Sequence, residues 1–89
     1  MKWRMANRGR FYDPGESTVV YYDTDSGDTH LLSDFAAFVL RQFDDQALDA
    51  EELADKISPA IEPGEIPDLA ETVLDVLREL TALDILKQA

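Results

Sequence analysis

The sequence predicts an α+β fold, a three-stranded antiparallel β-meander followed by three α-helices. Three observations carry that prediction. Val19-Val20-Tyr21-Tyr22 and Thr29-His30-Leu31-Leu32 flank the turn-forming run Asp23 to Asp28, so they read as the two arms of a hairpin. Leu69 to Leu83 carries apolar residues at helical spacing. Between them, a capping signal at Asp49 and the breaker Pro63-Gly64-Glu65-Ile66-Pro67 cut the second half into three helical pieces. The chain has 89 residues, which is the size of one domain.

Taken in order, Lys2 to Ala6 reads as a first strand with Trp3 and Met5 on one face, and Asp13-Pro14-Gly15 as the turn into the second. The second strand centres on Val19 to Tyr22. Gly27 supplies positive φ in the following turn, and the third strand is Asp28 to Leu32. Ser33 suits the N-cap of a first helix that runs to about Phe43. Phe35, Ala36, Phe38, Val39, Leu40 and Phe43 wrap more than one face, as in a central, well-buried helix. Asp49 with Glu52 forms a capping box, and the helix it starts turns Leu53, Ala54, Ile57 and Ile61 inward. Pro59 ends or kinks that helix. Pro67 suits the first turn of the third helix, with Asp68 and Glu71 at its positive end. Leu69, Val73, Val76, Leu80 and Leu83 share one stripe of it, with Leu74 and Leu77 on a flank. Ile85 and Leu86 tuck the tail onto the core.

Composition narrows the function. With no cysteine, the chain has no disulfide, thiolate metal site or thiol nucleophile, and it suits a reducing, cytoplasmic setting. No apolar stretch reaches the roughly 20 residues of a membrane span, and the basic N-terminus is followed by no hydrophobic segment, so neither a membrane anchor nor a signal peptide is expected. Net charge is −11. The first ten residues hold Lys2, Arg4, Arg8 and Arg10 and no acid; the rest holds nineteen acids against four bases. Such a body repels nucleic acid. The basic N-terminus either folds back on the acidic helices or meets an acidic partner.

No constellation supports catalysis. Asp23-x-Asp25-x-Gly27-Asp28 fails as a calcium loop, having Gly at the fifth position, Asp at the sixth and Asp34 at the twelfth. His30, the one histidine, lacks a second histidine or a cysteine with which to hold zinc, and reads as a strand residue. Asp44-Asp45 and Glu51-Glu52 are sequence neighbours, which point apart on a helix. No cofactor and no metal is expected. Three helices with a small sheet also describe a winged helix-turn-helix, but the third helix sets Asp68, Glu71, Asp75, Glu79 and Asp84 against Arg78 alone, the wrong sign for DNA. A strand edge beside an apolar helix leaves another use, the capture of an extended peptide. The same edge pairing with itself across a two-fold axis would give a homodimer.

The order of elements, the phrase Gly27-Asp28-Thr29-His30-Leu31-Leu32, and Asp75-Val76 with Leu80, Leu83 and Leu86 downstream resemble the pyrroloquinoline quinone biosynthesis protein D (PqqD)-like family. With Trp3 upstream, the phrase is most similar to the branch associated with an HPr-kinase-related system. Ser33, where the cofactor-making branch carries Asn, and Asp84, where it carries Gly, set this chain apart from that branch. The resemblance implies a winged helix-turn-helix-like, non-enzymatic RiPP recognition element. Such a domain acts as a peptide chaperone, holding the leader of a ribosomally made precursor peptide and presenting it to a peptide-modifying enzyme. In this sequence, Asp28, Thr29, His30, Leu31 and Leu32 would supply the backbone edge. Leu69, Val73, Val76, Leu77 and Leu80 are the candidate groove floor.

Overall fold

A computed structural model describes residues 1–15 and 17–89. Its elements are strands β1 (Trp3–Met5), β2 (Gly9–Tyr12), β3 (Thr18–Asp23) and β4 (Thr29–Ser33), helices α1 (Asp34–Arg41), α2 (Ala50–Ile57) and α3 (Leu69–Ala82), and a final strand β5 (Leu86–Gln88). β2, β3 and β4 form the antiparallel meander, in that spatial order, and the three helices follow. The α+β architecture is therefore the one expected.

The first strand is a different segment from the one expected. Lys2 to Ala6 does not enter the meander. Trp3–Met5 pairs with β5 instead, Met5 opposite Leu86 and Trp3 opposite Gln88, while Trp3 also exchanges backbone hydrogen bonds of 2.9 Å with Leu48. The meander opens with Gly9–Tyr12, whose alternation is short: Gly9 and Phe11 face inward, Arg10 and Tyr12 outward. Phe11 packs on Tyr21 with ring centroids 5.1 Å apart, and the Arg41 guanidinium sits 4.7 Å over the Phe11 ring. Gly9 is required by this packing. A Cβ there would stand 2.2 Å from the end of the Tyr21 ring.

Side-chain caps fix the helix starts. Ser33 Oγ accepts from the Ala36 N–H at 3.1 Å. Asp49 and Glu52 close a reciprocal capping box with bonds of 2.8 and 3.1 Å. Asp68 accepts from the Glu71 N–H at 3.2 Å, which puts Pro67 just outside α3 rather than in its first turn. α1 stops at Arg41, two residues earlier than expected, and α2 passes into a single 3₁₀ turn at Ser58–Ala60 where Pro59 interrupts it. α3 ends in a Schellman motif. The Asp84 N–H donates to the Thr81 carbonyl and the Ile85 N–H to the Leu80 carbonyl, both at 3.0 Å, with Asp84 at φ 61°. Buried Leu80 and Ile85 supply the motif's apolar contact, and this turn feeds β5 back against β1.

One core joins these parts. Val19, Tyr21 and Leu32 from the sheet meet Ala37, Val39, Leu40 and Phe43, then Leu53 and Ile57, then Val73, Leu77 and Leu80, with Trp3, Ile85 and Leu86 closing the far end. Among the described residues no helix is long and apolar enough to cross a membrane.

Candidate peptide-binding edge

β4 is an edge strand. It pairs with β3 from Thr29, opposite Tyr22, to Ser33, opposite Thr18. Among the described residues nothing pairs with its other side. An edge strand presents unpaired N–H and C=O groups, which is the template on which an extended chain adds. The hairpin behind the edge is rigidly built. The Asp23 carboxylate accepts from the N–H groups of Asp25 at 2.9 Å and Ser26 at 3.0 Å and from the Asn7 amide at 2.8 Å. The Asn7 bond, followed by the Ser26 N–H, holds the Asp23 carboxyl below the usual aspartate range. Asp25 is likewise lowered, first by the Arg8 N–H and then by the Arg8 guanidinium.

The expected site residues divide sharply. Asp28 does not belong to the edge: its carbonyl accepts from the Asp23 N–H at 2.8 Å and its own N–H donates to Ser26 Oγ at 3.2 Å. Both backbone groups are used by the turn, so the edge begins at Thr29. Thr29 is exposed, His30 half-buried, Leu31 73% exposed and Leu32 4% exposed. Leu32 faces the core and Leu31 the opposite, outer side of the sheet, as strand alternation requires.

On α3, Val73, Leu77 and Leu80 are not a groove floor. They are at most 1% exposed and belong to the core. Leu69 and Val76 are half-buried. With Leu83, 47% exposed, they recur every seven residues and form one flank of the helix. The opposite flank, Leu74, Arg78 and Thr81, lines a cleft of about 520 Å³ with Met1, Trp3 and Gln88. The stripe expected from sequence thus merges a buried seam with an accessible flank, because neighbouring apolar positions on a helix differ by only 20–60° in direction.

β4 and α3 are linked through α1. β4 packs on β3 and α1; α3 packs chiefly on α2 and β5, and more lightly on α1. α1 contributes Phe35 and Phe38, which stay half-buried while Ala36, Ala37, Val39 and Leu40 are enclosed. Apolar periodicity marked both phenylalanines as core and passed over Ala37, which is fully enclosed.

The electrostatics are one-sided. Asp28 and Asp34 stand exposed just beyond the two ends of β4. At the start of α3, the hydrogen bond to Asp68, with the charges of Asp68 and Asp75, holds the Glu71 carboxyl above the usual glutamate range. The basic N-terminus is partly neutralised within the fold, Lys2 meeting Glu52 and Arg8 meeting Asp25, both at 3.1 Å. A basic guest would be drawn to this surface and an acidic one repelled. Comparison with protein-family models, with curated proteins and with solved structures returns no match.

Proposed function

We propose that this chain is a non-enzymatic peptide-recognition domain that holds the leader segment of a ribosomally made precursor and presents it to a modifying enzyme. The open outer edge of β4 carries the reading. The leader adds as a further strand along Thr29–Ser33, and its inward side chains approach the accessible apolar flank Leu69, Val76 and Leu83, with Phe35 and Phe38 as further apolar surface. Main-chain pairing gives affinity with little demand on sequence, and alternate side chains add selectivity. The resemblance of Gly27 to Leu32 to the PqqD-like phrase supports the same reading. The acidic surroundings favour a leader with basic residues and speed its encounter.

The test is binding of fluorescein-labelled synthetic peptides of alternating apolar and polar residues with lysine ends, followed by polarisation. The expected result is saturable binding that weakens about 5-fold for each peptide N–H removed by N-methylation on the paired side. Val76→Asp should weaken it further while the circular dichroism spectrum is kept. Leu80→Asp is no probe of the groove, since it buries a carboxylate in the core. A folded Val76→Asp variant with unchanged affinity, together with indifference to N-methylation, would refute strand addition. A dimer of the free chain that the peptides cannot dissociate would assign the edge to a second copy.

A further inference from the structure

The outer face of the meander differs in chemistry from the rest of the chain. Its register builds three cross-strand rows: Arg10, Tyr22 and Thr29; Tyr12, Val20 and Leu31; and Thr18 with Ser33. No carboxylate lies on any of them, in a chain of nineteen acids and net charge −11. The middle row is apolar and open. Tyr12 is 66% exposed at one end and Leu31 73% at the other. Leu31 ends that row on the unpaired edge of β4, so a strand added there would continue the row with a fourth residue about 4.8 Å further on.

We propose that Leu31 is a specificity-determining residue. It selects, in an extended peptide added to β4, a large apolar residue, aromatic or aliphatic, at the position facing it. The proposal rests on the strand-addition reading above and names the ligand class of that site: a large apolar residue at the central outward position, polar residues two positions to either side, and basic residues at the ends. The cross-strand neighbour of Leu31 is apolar Val20, and its same-face neighbours along β4 are Thr29 and Ser33. Opposed apolar side chains on one face of an antiparallel pair stabilise it, whereas a charged side chain facing Leu31 would lose water and find no partner. Asp28 and Asp34, beyond the two strand ends, supply the opposite preference there.

Three peptides test the inference. The first has lysine at each end, valine at the inward positions, and threonine at the outward positions except for one central tyrosine. The second and third replace that tyrosine with threonine and glutamate. Against the natural chain, the tyrosine peptide should bind about 2- to 5-fold more tightly than the threonine peptide, and the glutamate peptide most weakly. Against Leu31→Ser, a substitution at an exposed position that leaves the core intact, the tyrosine-to-threonine ratio should fall to about 1, as a double-mutant cycle requires of a direct pair. A ratio that survives in Leu31→Ser overturns the role of Leu31 while leaving strand addition standing. Failure of all three peptides to bind, or equal binding of an N-methylated tyrosine peptide, overturns both.

Discussion

Replacing Tyr21 by phenylalanine should leave the protein as stable or make it more so, although Tyr21 lies at the centre of the sheet. The side chain is 1% exposed, and its hydroxyl has no hydrogen-bond partner among the described residues and no contact with solvent. Burying a hydroxyl without a partner costs about 1–3 kcal/mol relative to water, so its removal relieves the folded state of that penalty. The change takes away one oxygen and keeps the ring against Phe11, so little packing is lost. A gain of about 1 kcal/mol is expected, seen as a rise of about 4–8 °C in melting temperature or about 0.5–1 M in the urea midpoint. The fluorescence of Trp3, the single tryptophan, provides the signal. Alkaline pH sharpens the contrast. Burial, and after it the charges of Asp23 and Asp25, raise the Tyr21 phenol above its ordinary value. Below about pH 10 the phenol is neutral in both states. Above it the unfolded chain ionises first, so Tyr21 takes stability away as pH climbs toward its folded value. Phenylalanine lacks that loss, and the advantage of the variant should widen above about pH 10. A variant less stable by more than about 1 kcal/mol at neutral pH would refute the reasoning, because the hydroxyl would then have to hold a partner.

Two further substitutions probe backbone positions elsewhere in the fold, in β2 and at the end of α3. Gly9→Ala forces a methyl into the end of the Tyr21 ring, and should destabilise the fold by about 1–3 kcal/mol, read as a matching fall in the urea midpoint; an unchanged midpoint would mean that the ring shifts freely. Asp84→Gly should stabilise it by about 1–2 kcal/mol, because Asp84 holds φ 61° and places a negative charge at the negative end of α3; thermal melts of both proteins in one buffer decide it.

Local chemistry was legible wherever the determinant lay within a few residues. Ser33 and Asp49 with Glu52 announced two helix starts, and each makes the cap its side chain suggests; at the third, Asp68 is the cap itself, so the helix starts later than Pro67 implied. The hairpin about Gly27 was equally plain, since its turn is closed by the side chains of Asp23 and Ser26. Gly9–Tyr12 was overlooked because its four residues carry only two apolar side chains and one inward glycine, too weak an alternation to stand out. Lys2 to Ala6 contains a strand with Trp3 and Met5 on one face, as its alternation suggests, but its partner at Leu86–Gln88 lies more than 80 residues away, beyond the reach of any periodicity. The end of α3 near Leu83 was legible from the apolar spacing, whereas its Schellman turn was not, because the residue in left-handed geometry is Asp84 and not the glycine that normally marks such a stop.

By itself, the sequence determined the hairpin, the three helices, the caps at Ser33 and Asp49, the acidity of the body and the absence of thiol chemistry, because these follow from residue identity and near neighbours. Only the tertiary structure decided which strand begins the meander, that Asp28 lies outside the edge, and that Val73, Leu77 and Leu80 are sealed while Leu69, Val76 and Leu31 remain accessible. An apolar residue has the same preference for leaving water wherever it sits. Whether it finds shelter depends on segments distant in the chain that come to lie over it, and that is a property of packing.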